Sequence, residues 1–196
     1  MSVTLSPQYE EHELGELLGI VRTVLTRHFN NDPLALPEPE AYSEKLHKPA
    51  GCFVTLEVNH QLQGCIGAIS SPMPLIHEVH NKTLAAAFQD RRFTPLTAQQ
   101  LDDLSIEVSV LSEPQLLEVE SEQACLDFLE ENKVGVILSC NHRRAVFLPQ
   151  VWEKLPVPFD FIRALKRKGG MDEADWPSDM RVDVFSVDSL KQGFRD

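Results

Sequence analysis

Cysteine and histidine are the residues of this chain best suited to covalent or metal chemistry, and their spacing separates one candidate from the others. Four cysteines stand at positions 52, 65, 125 and 140, far apart and with no C-x-x-C pair, and they read as reduced thiols rather than a disulfide framework. Cys65 lies in the run Leu62-Gln63-Gly64-Cys65-Ile66-Gly67. Gly64 and Gly67 remove side chains from either side of the thiol, so a ligand or another stretch of backbone can approach it. Two readings of Cys65 stand. It is a nucleophile or ligand-contacting thiol, or it is a small buried apolar residue in a tight hairpin, because free cysteine is among the most buried residue types. Cys52, Cys125 and Cys140 read as core or incidental thiols.

A cysteine nucleophile needs a base to take its proton. The chain has seven histidines, and none is paired with Cys65 by its place in a motif. His60 falls in the adjacent turn and is expected to face solvent. His77 and His80 form H-E-V-H, one residue short of the H-E-x-x-H zinc spacing that stacks two imidazoles on one helix face. They read as a solvated helix face, and no metal and no cofactor is expected. Asp90 and Arg92 are close enough in sequence to fix a loop by a charge-assisted hydrogen bond; alternatively Arg92 receives a carboxylate or phosphate. The loop-fixing reading is preferred, because Phe93 and Pro95-Leu96 look like an anchoring segment. Thr55 and Ser109 lie opposite the apolar stripes of their strands, where a hydroxyl either orients a substrate near Cys65 or simply faces water. The candidate catalytic residue is therefore Cys65, and the candidate ligand-binding residues are Thr55, Gly64, Gly67, Asp90, Arg92 and Ser109.

Periodicity supplies the elements that must hold these residues. Ser6-Pro7 reads as a helix start. Leu14, Leu17, Leu18, Val21, Leu25 and Phe29 then recur at helical spacing. Three prolines between Asn30 and Ala41 end that helix. From Cys52 the period becomes two, with Cys52, Val54, Leu56 and Val58 alternating with Phe53, Thr55 and Glu57. Asn59-His60-Gln61 turns the chain, and Leu62 to Ile69 returns as a second strand. A helix over about 75–89 and a strand carrying Ile106, Val108 and Val110 follow. The order then recurs: a helix near 121–131, a strand over 134–139, a turn at Asn141-His142-Arg143, a return over 145–148, a helix over about 159–168 stopped by Gly169-Gly170, and a strand with Val182, Val184 and Val187. Helix–strand–strand–helix–strand thus occurs twice, displaced by about eighty residues. The expected class is α+β, a duplicated unit around one largely antiparallel, barrel-like sheet. It is read as one domain over 1–196, or as two interleaved lobes of about 1–113 and 114–196.

Acidic residues outnumber basic ones 30 to 18, for a formal charge of −12, a field that repels phosphate backbones and argues against generic nucleic-acid or anionic-membrane binding. The dense basic runs are Arg91-Arg92, His142-Arg143-Arg144 and Lys166-Arg167-Lys168. The runs Glu118–Glu122 and Glu130-Glu131 read as solvated helix flanks. No apolar run approaches the ~20 residues of a membrane span, and none at the amino terminus reads as a leader, so a cytoplasmic location is expected.

The segment Leu62–Gly67 closely resembles the L-R/K-G-C-I-G signature of the AMMECR family, also known as AmmeMemoRadiSam system protein A. Further matching segments follow in order: 51–56, 85–96, 106–112, 135–139 and Phe147-Leu148-Pro149-Gln150-Val151-Trp152. They span nearly the whole chain. Gln63 departs from the family's usual basic residue, Arg91 from a common proline, and Ala145 from a frequent glycine. The resemblance implies a duplicated α+β fold around one barrel-like sheet. It further implies a shared pathway or complex with a Memo-like protein and a radical SAM enzyme. An enzyme or enzyme component acting on a small molecule or protein-modification substrate near Cys65 is expected; the alternative is a non-catalytic module or scaffold for those partners.

Overall fold

Eight residues from Glu13 to Leu25 bury one side of α1 (Glu11–Asn30), seven of them apolar and at the helical spacing that packing on a core requires. The computed structural model describes residues 7–196. The expected cap Ser6 lies outside them, and the helix starts later than expected. Its first turn is closed by Glu13, whose carboxylate accepts the Glu10 N–H at 2.8 Å. Its end is Asn31 in the left-handed region, which the short amide side chain tolerates.

Two compact units are present: Gln8–Ser112 with Asp188–Asp196, and Glu113–Val187. The first holds α1, β1 (Cys52–Val58), β2 (Gln61–Ala68), α2 (Leu75–Phe88) and β3 (Leu104–Leu111), and most of β8 (Val187–Gly193). The second holds β4 (Gln115–Leu116), α3 (Glu122–Glu131), β5 (Gly135–Cys140), β6 (Arg143–Phe147), α4 (Pro158–Lys168) and β7 (Arg181–Phe185). The α+β class and the antiparallel pairing are as expected. The strands, however, form two four-stranded sheets where the sequence suggests one barrel-like sheet, with orders β2-β1-β3-β8 and β4-β7-β5-β6. Reversed, the second order is β6-β5-β7-β4, so each unit sets a hairpin beside its third strand and adds a fourth outside it. Val187 does not extend β7 but opens β8, which pairs with β3 in the other sheet.

Both hairpins turn on the same dipeptide. Asn59-His60 and Asn141-His142 have φ of 50°, 61°, 47° and 65°, so each is a two-residue loop with both residues left-handed. That matches the right-handed twist of the flanking strands, and asparagine enters that region at low cost. In the first unit α2 packs on β1 and β2 and α1 on α2 and β3, burying Val54, Leu56, Ile106 and Val108 beneath them. The second unit has its own core, where Phe161 stacks on Trp152 at 3.7 Å. Among the described residues no helix is long and apolar enough to cross a membrane.

Candidate functional site

Strand register decides what Cys65 meets. β1 and β2 pair with a shift between Leu56 and Glu57: Leu56 faces Gly64 and Glu57 faces Leu62, leaving Gln63 as the extra residue of a β-bulge. The Gln63 amide reaches out to Thr94 O at 2.6 Å. Beyond the bulge Gly64 and Ile66 share the helix-covered face with Leu56 and Val54, and Cys65 shares the opposite face with Thr55.

Cys65 stands directly across from Thr55, whose hydroxyl donates to Cys65 Sγ at 3.2 Å. The backbone of Cys65 points the other way, off the free edge of β2. Its N–H donates to Asp90 Oδ2 at 3.0 Å, and its carbonyl accepts from Arg92 Nη2 at 3.0 Å. Thr55 and Cys65 are thus a non-hydrogen-bonded pair, the kind in which side chains approach most closely. Asp90 and Arg92 occupy the place of a neighbouring strand at that position and cover the edge. Asp90 also accepts Arg92 Nε at 2.9 Å, Arg92 Nη2 at 2.7 Å and the Arg92 N–H at 3.2 Å. The loop-fixing reading of this pair is the observed geometry, and the Arg92 side chain nonetheless remains 59% exposed beside the thiol.

The Arg92 guanidinium, and after it the Cys65 N–H, hold the Asp90 carboxyl well below the usual carboxylate range; Asp90 in turn raises Arg92. A depressed carboxylate stabilises the fold above its unfolded pKa of about 3.9, and the contribution disappears as pH falls through the lower folded value. The Cys65 amide resonance is therefore expected to hold its position from neutral pH down through the normal carboxylate range and to move only in stronger acid. In Asp90→Asn, which puts an amide donor against these donors, amide exchange at Cys65 should accelerate by about tenfold or more. Unchanged exchange would mean that the clamp is ornamental.

The row continues across the sheet, because Thr55 also faces Glu107 on β3. Glu107 accepts a hydrogen bond from the buried Ser109 at 3.1 Å. The structure thus brings Cys65, Thr55, Asp90 and Arg92 into contact, while Ser109 faces Phe53 and is joined to the row only through Glu107. Sequence reasoning passed over Glu107, although it shares a face with Ser109 by simple alternation. The glycines do something other than open space for a ligand. A Cβ on Gly64 would lie 2.0 Å from Ala86 O of α2, and one on Gly67 would lie 2.3 Å from the Phe53 ring.

The remaining thiols are buried. Burial pushes Cys52 and Cys125 up to about 12 and raises Cys140 as well. Cys65 is the partly exposed one. The expected solvated face of H-E-V-H is corrected: Glu78 and His80 are buried, with Glu78 paired to Lys82 at 3.2 Å, and the segment around Pro37 lies over His77 and His80, with His77 Nε2 3.0 Å from Pro37 O. Among the described residues no group of three or more metal-ligating side chains could hold an ion.

A profile of the AMMECR1 family matches residues 18–190. A protein of Thermotoga maritima is 34% identical over 157 residues, covering 79% of this chain and 85% of that one. A protein of Aquifex aeolicus is 31% identical over 182 residues, covering 89% and 90%. The fold is similar to the crystal structure of an uncharacterized protein from Pyrococcus horikoshii, with a TM-score of 0.77 at 24% identity and 93% of each chain covered.

Proposed function

The chain belongs to the AMMECR1 family, and we propose that it is an enzyme or enzyme component whose working group is Cys65. One observation carries the reading: of the four thiols, the partly exposed one is the one placed among a donating hydroxyl, a fixed carboxylate and an anchored guanidinium. The thiol serves as nucleophile or ligand contact. Arg92, held in place by Asp90 with more than half of its side chain exposed, receives a carboxylate or phosphate on the substrate. The substrate is a small molecule or a protein undergoing modification, in a pathway with a Memo-like protein and a radical SAM enzyme.

A second reading, a non-catalytic module that organises those partners, is favoured by a different feature. Leu62, 42% exposed, stands on the edge strand β2 next to its hairpin turn, where a partner's loop or strand can dock. Two variants separate the readings in a strain lacking the protein. Under the first, Cys65→Ser expressed at the normal level fails to restore the wild-type phenotype and Leu62→Lys restores it. The reverse pattern supports the module, and full rescue by Cys65→Ser would sink the thiol reading.

A further inference from the structure

A second site lies in the first unit, lined by none of the residues around Cys65. A cavity of about 290 Å³ opens between α1, the segment 34–38 and the turn at Tyr42. That is the lower end of the range for small-molecule sites. Its walls are aliphatic, with Ile20 and Val24 from α1 and Leu34 and Leu36 from the segment opposite.

Its free polar groups are few and of defined character. Arg27 lines the cavity and, like Arg22, Arg91, Arg143 and Arg144, has no carboxylate within ion-pair distance among the described residues, so its guanidinium is available to a ligand's anion. Glu38 supplies an acceptor on the same lining. The Thr23 hydroxyl is committed to Gly19 O at 2.9 Å. His80, only 5% exposed, completes the set: its Nδ1 lies 3.3 Å from Asn81 Oδ1, and its Nε2 is a buried nitrogen with no hydrogen-bond partner among the described residues. With the Asn81 oxygen taking the Nδ1 proton, Nε2 of the neutral ring is left as an acceptor. Buried polar atoms of this kind are ordinarily satisfied, and one in the wall of a cavity marks where a ligand's donor belongs.

We propose that this cavity binds a small aliphatic α-amino or α-hydroxy acid, about the size of leucine. Its carboxylate pairs with Arg27, its α-substituent donates to His80 Nε2 or Glu38, and its branched side chain packs among Ile20, Val24, Leu34 and Leu36. The two acids share the carboxylate and the donor; Glu38 favours the amino acid, whose ammonium it can pair with.

The test is an NMR titration of the full chain with L-leucine, 2-hydroxyisocaproate, 4-methylpentanoate (no donor) and isoamylamine (no carboxylate). Saturable shifts confined to residues around 20–42 and 80 are expected for one or both of the first two, with weaker response to the last two. Arg27→Gln should weaken binding by about tenfold or more. Leu36→Trp should abolish it by filling the cavity from a position 47% exposed, where the fold tolerates the change. Absence of saturable shifts with both leucine and 2-hydroxyisocaproate would overturn the proposal. So would binding that neither variant alters.

Discussion

Gly64→Ala is expected to destabilise the chain by about 3 kcal/mol, an unusually large effect for adding one methyl group. The new Cβ would stand 2.0 Å from Ala86 O, and that oxygen belongs to the backbone of α2, so no side chain can swing aside. Either α2 lifts from the sheet or β2 bends away, and Leu56, Val79 and Ala86, all in the same core, lose contact. Gly15 and Gly19 provide the comparison within the same unit. Both lie inside α1, and a methyl group added at either would meet nothing within 4 Å, so alanine there should stabilise by about 0.5–1 kcal/mol through its better helix propensity. Urea denaturation of the three variants checks the contrast. A Gly64→Ala protein as stable as wild type would show that α2 does not need its close seat on β2. The glycine of the signature is thus explained by helix packing, and the thiol's surroundings by other residues.

Lys166→Ala should cost about 3 kcal/mol, with Lys166→Met costing less because it keeps the buried stem. Lys166 is fully buried at the end of α4, and its ammonium donates to Glu122 at 2.6 Å and to the Asp175 carbonyl at 2.9 Å, with the Trp176 ring centroid 5.1 Å away. Truncation removes the donor shared by those acceptors and empties the buried space of the lysine stem, while Glu122, partly exposed, recovers some hydration. The loss should fall on the second unit, so hydrogen exchange is expected to accelerate in α3, α4 and the 172–176 segment before it does in β1–β3. Uniform acceleration across both sheets would contradict a clamp local to that unit.

Lys166 also marks how far the sequence could be read. Its run with Arg167 and Lys168 looks like an exposed basic patch, yet Arg167 pairs with Glu173 at 2.7 Å and Lys168 donates to Val146 O at 2.8 Å. The signal was helical phase: position 166 follows Pro158 and Ile162 at steps of four, on the buried face of α4. Elements with strong periodicity, from α1 through β7, were legible because amphipathic spacing is local. The division into two sheets was not, since which strand pairs with which depends on contacts distant in sequence. β8 illustrates this, leaving the second unit's β7 to pair with β3. At the site, Asp90 and Arg92 were legible by proximity, and Thr55 by alternation. The bulge at Gln63, which sets the register and so turns Cys65 toward Thr55, carries no mark in residue type. His80 was misread for a related reason: its helix is covered on a second side by the segment around Pro37, which no periodicity announces.

Thiol labelling decides whether Cys65 is a working group. The folded protein is treated with iodoacetamide over a range of pH, and each cysteine is quantified by peptide mass spectrometry. Cys65 is expected to label first and at every pH, while Cys52, Cys125 and Cys140 stay protected until the chain unfolds. A Thr55→Val variant should change the rate at Cys65 alone, because only that thiol receives the Thr55 hydroxyl. Protection of Cys65 equal to that of the three buried thiols would contradict the proposed role and remove the basis for a working site at this hairpin.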